Sequence, residues 1–182
     1  MPDYSDMPGE TFQIEQSPLI PDGDLTETGY GIWQTAINSK GKIYREFRTH
    51  IEFLGWPLLN YTQGIHPKLG KRKTAMGWIA IGRKAIGVVA IGHAAMGIIA
   101  IGQLAIGILL GLGQLATGIV ALGQVAIAVY FSMGQVGYGQ IVIAQFGYGK
   151  YVLAQFGWGE HVWDIRGVSP VAQKFFRGLW PF

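Results

Sequence analysis

The sequence predicts an all-β chain, a single β-solenoid of five-residue faces preceded by an N-terminal extended arm and a β-hairpin cap. Three observations carry this expectation. Glycine returns at every fifth position in "AIGVVAIGHAAMGIIAIGQLAIG", residues 85–107, a beat that matches neither the 3.6-residue period of a helix nor the two-residue period of a half-buried strand. The 182 residues include 28 Gly and only 14% charged residues, an unusual mixture for a globular chain. No Asp, Glu, Lys or Arg lies between Lys84 and Lys150.

Residues 1–40 hold four prolines, and residues 1–30 hold seven acids (Asp3, Asp6, Glu10, Glu15, Asp22, Asp24, Glu27) and no base. This composition predicts an extended acidic arm, ordered only where it lies on something else. Residues 41–76 follow as a cap and connector. Alternation from Tyr44 to Phe53 predicts two strands joined at "LGWP", and "HPKLGKRK" is a basic link into the repeat. The repeat occupies 77–163, and residues 164–182 form a tail with a short helix starting near Ser169–Pro170.

The repeat separates into two interleaved sets of pentads. One reads GWIAI, GVVAI, GIIAI and so on to GKYVL; the other runs from GRKAI and GHAAM to AQFGW. The unit is therefore ten residues. A polar residue recurs at one place in it, as Arg83 and His93 and then as a ladder of Gln103, Gln114, Gln124, Gln135, Gln145 and Gln155. Single-residue insertions near Leu110–Gly111 and Phe131–Ser132 lie about two units apart, which favours a square twenty-residue turn over a ten-residue one. Within a pentad, positions 3 and 5 are expected to face one side and positions 2 and 4 the other, with either register leaving apolar surface outside, glycine to turn the corner through positive φ, and stacked Gln amides to bond to one another.

With positions 3 and 5 inward, position 2 of the first pentads presents Val88, Ile98, Ile108, Ile119 and Val129 as an outward apolar stripe, the expected docking face. The aromatic residues Tyr138, Tyr148, Trp158, Trp163 and Trp180 gather toward the C-terminal end, where rings beside Lys and Arg suit a membrane interface. The alternative fold is a helical membrane protein with two or more spans, since the uncharged stretch would register on any hydropathy scan. Against it, glycine every five residues makes no GxxxG stripe and weakens a helix at each occurrence.

From about Phe53 to Phe176 the chain resembles a family of uncharacterised bacterial proteins with AIGxx pentad repeats. There a GxPL segment, here "GWPLLNYTQG", precedes a glycine-containing connector and a long run of AIGxx units, and the closing "GEHVWD…SPVAQKFF" is similar as well. The resemblance implies the solenoid and no chemistry.

No catalytic, cofactor-binding or metal-binding residue stands out. His93 reads as an exposed member of the polar column, His50 and His66 have no acid–base partner nearby in sequence, and His161 with Asp164 reads as a capping or surface pair. A hexad acyltransferase solenoid has the wrong period, and the absence of cysteine excludes disulfides and thiolate metal sites. The ten Lys or Arg of residues 40–84, against only Glu46 and Glu52, suit anionic lipid, the acidic arm or an acidic partner. No known nucleic-acid reader motif is present, so nucleic acid is not expected. The amino terminus has no secretory signal, which points to the cytoplasm or the cytoplasmic face of a membrane. The reading is a non-enzymatic structural or accessory subunit without cofactors. It would dock by its apolar face and its arm onto protein subunits of a larger complex, membrane proteins included, for example respiratory or photosynthetic, with lipid contact at the aromatic end. A self-assembling filament and a small integral membrane protein are the alternatives.

Overall fold

The computed structural model describes residues 23–37 and 41–179. It is mostly β, with one short helix. A two-residue loop joins β1 (Asp24–Thr28) to β2 (Gly31–Ile37), and β3 (Ile43–Thr49) continues the antiparallel sheet, with Thr35 opposite both Asp24 and Arg45. The acidic arm is thus shorter than residues 1–40. Its second half is a hairpin, because "DLTET" pairs with "GIWQTAI" and the latter with β3, partners that a composition count does not register. Asp3, Asp6, Glu10, Glu15 and Asp22 lie outside the described residues.

The turn at "LGWP" forms as the alternation suggests. β4 (Glu52–Phe53) and β5 (Trp56–Pro57) pair around Leu54 and Gly55, whose φ values of 52° and 75° are those of a tight primed hairpin turn. β6 (Leu59–Gln63) then pairs antiparallel with β3 and parallel with the first turn of β7 (Ala75–Asp164), in the register Leu59↔Ile79 to Thr62↔Gly82. Trp33 packs on Phe47 at 4.8 Å and on Tyr61 at 6.1 Å, tying β2, β3 and β6 together on one face. The hairpin folds over the start of β7, where Trp78 Nε1–H donates to the Phe53 carbonyl at 2.9 Å.

β7 is 90 residues of extended backbone, far longer than any straight strand. It folds upon itself at a fixed step. The carbonyl of Gly77 occupies the space where Gly87 would carry a Cβ, and the same relation links Gly87 to Gly97, Gly82 to Gly92, Gly113 to Gly123, and Gly139 to Gly149. Equivalent rings stack over the same step: Tyr138 and Tyr148 lie 5.7 Å apart with planes 1° from parallel, and Phe146 and Phe156 lie 5.6 Å apart. The neighbour of each residue is therefore ten positions away, not twenty. Each insertion is absorbed inside one unit, since Gly113 lies against Gly102 and Gly134 against Gly123 at a step of eleven.

The structure also decides the register that the alternation leaves open. Position 4 of the pentad is the core: Ala80, Ala85, Ala90, Ala95, Ala100 and Ala105 are buried, and Ala116, Ala121 and Ala126 continue the series beyond the first insertion. Positions 3 and 5 lie outside, with Ile91, Ile101, Leu104 and Ile106 each more than a third exposed. The buried positions along this part of β7 hold little beyond methyl groups, and the larger side chains lie outward. Toward the C-terminus the buried residues change. Val142 and Val152 are wholly buried opposite Gly137, Gly147 and Gly157, where an added Cβ would meet a valine methyl carbon at 2.7–2.9 Å.

The repeat glycines do not need left-handed backbone. Among the described glycines positive φ occurs at Gly41, Gly55, Gly64, Gly70 and Gly159, and only the last belongs to the repeat. Close approach excludes a side chain from the others: the backbone ten or eleven residues earlier at most of them, a valine methyl group at Gly137, Gly147 and Gly157, and a nearby carbonyl at Gly107, Gly111 and Gly118. At the far end β8 (Gly167–Val168) pairs with Trp163 and Asp164. The helix α1 (Pro170–Leu179) follows, buries Ala172 and Phe176 against Ile141, and stacks Phe175 on Tyr151 at 4.2 Å. No helix among the described residues is long and apolar enough to cross a membrane, so the helical alternative does not describe β7.

Gly123→Val should therefore abolish or severely reduce folding, because its side chain would collide with the Gly113 backbone, whereas Gln124→Leu on the outside should move the thermal midpoint little. Gly147→Ala should destabilise the parent. The same change should cost less when Val142 and Val152 are both alanine, since the added methyl then enters vacated space. Thermal unfolding of the four proteins in this cycle measures the coupling.

Candidate functional site

The predicted docking stripe lies outside, along one glycine column. Val88 is half-buried, whereas Ile108 and Val129 are 67% and 70% exposed, among the most open large apolar residues of β7. Ile98 and Ile119 lie between these extremes. Ile108 and Val129 of the stripe line an open trough of about 1030 Å³ together with the small residues Gly107, Gly118, Ala128 and Gly139. Ile127, Tyr138 and Tyr148 line it as well, and Gln140, Lys150 and Glu160 make it polar toward one end. The sequence singles out the two tyrosines only as interfacial aromatics and passes over Ile127; that they share a trough with Ile108 and Val129 is visible only in the structure.

The Gln ladder forms a column with all six side chains exposed, and no side-chain hydrogen bond joins one rung to the next. Outward amides at an open edge are free to bond to water, so the expected mutual bonding is not realised. Of the aromatics, Tyr138, Tyr148 and Trp158 are each half-exposed or more on one column, whereas Trp163 packs under α1. Trp180 lies outside the described residues.

The end of β7 is closed by a clasp. The Asp164 carboxylate accepts from Gly157 N–H at 3.1 Å, from Arg166 N–H at 2.9 Å and from Arg166 Nε at 2.9 Å, and the guanidinium lies 5.4 Å from the centre of the Trp158 ring. The Arg166 guanidinium and the Gly157 N–H hold the carboxyl at about 2, below its ordinary 3.8. The expected His161–Asp164 pair is thus replaced by Asp164–Arg166. His161 instead packs its ring on Tyr151 at 5.1 Å, and His50 lies 3.7 Å from Glu27.

A second cluster was invisible in the sequence because its members lie far apart there. Glu46, buried on β3, accepts from the Tyr44 hydroxyl at 2.6 Å and from Lys73 Nζ at 2.7 Å. The Tyr44 ring meets the fully buried His66 at 5.0 Å, and His66 Nδ1 accepts weakly from Leu69 N–H at 3.4 Å. Burial and then the Glu46 carboxylate push the Tyr44 hydroxyl well above its ordinary range. Burial, followed by Lys73, lowers the His66 value from its ordinary 6.5. These groups rivet the connector to the sheet, and none of Tyr44, Glu46, His66 and Lys73 lines the trough along β7 or the open pocket beside the head sheet. Among the described residues, no three His, Cys, Asp or Glu stand close enough to hold a metal ion.

At the other glycine column, beside the head sheet, an open pocket of about 510 Å³ is ringed by Lys42 from the start of β3, Arg72 from the connector, and Arg83 and His93 from successive units. Among the described residues no carboxylate lines it. Thus His93, read from sequence as one more member of a polar column, sits beside three bases brought from separate segments.

Comparison with protein-family models, with curated proteins and with solved structures found no match to this chain.

Two titrations should register in stability. Folding disfavours protonated His66, so its contribution is complete above its ordinary 6.5 and is lost as the pH falls below it; His66→Phe should flatten the decline in thermal midpoint between about pH 7 and pH 5. Folding favours ionised Asp164, so its contribution is present above 3.8 and is lost as the pH falls toward about 2; Asp164→Asn should remove that acid limb and lower the midpoint at neutral pH.

Proposed function

We propose that β7 is a β-solenoid of ten residues per coil and that the protein is a non-enzymatic structural or accessory subunit, docking through an apolar outer surface onto protein subunits of a membrane-associated complex. One observation carries this reading: the buried residues of β7 are alanine, glycine, a few valines, Ser132 and Ile141, so nearly all its large apolar residues lie outward, with Ile108 and Val129 the most open of the predicted stripe. Contiguous apolar surface of this kind marks a contact site. The chain covers part of its apolar surface itself, since α1 lies over Ile141 and its neighbours, whereas Ile108, Leu109 and Val129 stay exposed among the described residues.

A filament growing end to end is less well supported. β6 pairs with the first turn of β7, and β8 with the Asp164–Arg166 clasp occupies the last, so both terminal edges are engaged within the chain.

Size-exclusion chromatography with and without mild detergent tests the docking role. The parent should be monodisperse only with detergent or with its partner, and Ile108→Lys with Val129→Lys should relieve that dependence while the β-type circular dichroism persists. A parent that is monomeric and monodisperse in buffer alone would sink the docking reading, and a helical spectrum would sink the solenoid.

A further inference from the structure

The pocket beside the head sheet is distinct from the apolar docking surface, and its chemistry is opposite. We infer that it is a binding site for a phosphoryl anion, held by the forked guanidinium groups of Arg72 and Arg83 with Lys42 and His93 around it. Lys42, Arg72, Arg83 and His93 line about 510 Å³ of open space, and no carboxylate lies among the described lining residues. Each of Arg72, Arg83 and His93 makes no ion pair with another described residue. Gathering like charges around one pocket raises their mutual repulsion, and a bound anion removes that penalty.

The placement follows from the fold. Parallel pairing of β6 with the first turn of β7 sets Thr62 beside Gly82, so Gln63 and Arg83 come next along the two strands. Antiparallel pairing of β3 with β6 sets Arg45 opposite Gln63 and brings the start of β3, with Lys42 and Ile43, to the same end of the sheet. The connector returns past this end with Arg72, and the ten-residue step places His93 directly over Arg83.

A phosphoryl group suits the site better than a carboxylate. It carries up to two charges and offers three oxygens to donors arriving from different directions, and arginine binds it through paired N–H groups. Ile81 and Ile91 also line the pocket, which leaves room for an apolar portion beside the anion. Two sources carry that chemistry: the headgroup of an anionic phospholipid, and a small soluble phosphate ester.

The test uses the full chain with inorganic phosphate and glycerol phosphate in calorimetry, and with phosphatidylcholine vesicles with or without phosphatidic acid in co-sedimentation. Arg72→Gln and Arg83→Gln together should weaken phosphate binding at least tenfold, the loss expected for two charge-assisted contacts, while Lys84→Gln, whose residue does not line the pocket, should have little effect. Arg83 is exposed, so these variants should keep the parent's thermal midpoint. Binding to vesicles that requires phosphatidic acid and the two arginines assigns the site to lipid headgroups; binding of the small esters with no vesicle preference assigns it to a soluble ligand. Phosphate binding that is absent, or that falls equally in Lys84→Gln, overturns the site. So does a tenfold preference for a glutamate-rich peptide over phosphate.

Discussion

The rest of the molecule depends on how little side-chain volume the interior of β7 admits. Alanine methyl groups fill it, as at Ala90 and Ala95, or a valine packs against a bare glycine, as at Val152 and Gly147. A protein interior is close-packed, so neither a larger residue nor a void is tolerated there. The glycine columns meet a second version of the same constraint along the stack, because the carbonyl of one unit occupies the place of the next unit's Cβ.

This geometry inverts the usual division between inside and outside. The core contains too little side-chain volume to bury the isoleucines, leucines and aromatics, which therefore lie on the faces and edges. Stability must then draw heavily on backbone pairing between units, and on stacked side chains such as Tyr138 on Tyr148 and Phe146 on Phe156. A stack of this kind has two vulnerable ends. The head sheet meets one through β6, and β8, the Asp164–Arg166 clasp and α1 meet the other.

Charge is distributed to match. The units between Lys84 and Lys150 carry none, and the bases of the head segment fall into two different settings. Lys73 turns inward to the buried Glu46, where burial makes a charge partner necessary. Arg72 and Arg83 turn outward to a pocket with no acid among its described lining residues. Neighbours in sequence thus serve a structural rivet on one side of the sheet and an anion-binding surface on the other, because adjacent positions of an extended segment face opposite ways.

Much of this was legible in the residues alone. The five-residue glycine beat and its Gln column determined a β-rich repeat with a ten-residue unit, "LGWP" a hairpin, and Ser169–Pro170 a helix start, because each signal is local and stereochemical. The Ile108–Val129 stripe followed from period and polarity. The direction of every side chain did not follow, since positions 3 and 5 or position 4 satisfy the same alternation, and a shift by one residue exchanges the faces. Only the tertiary structure decided that alanine is the core, because the space inside is a property of the folded unit rather than of any pentad. It alone brought Tyr44, Glu46, His66 and Lys73 together, and Arg72 beside Arg83 and His93. Those contacts join residues whose separation in sequence carries no period, and pairing between strands is what closes the distance.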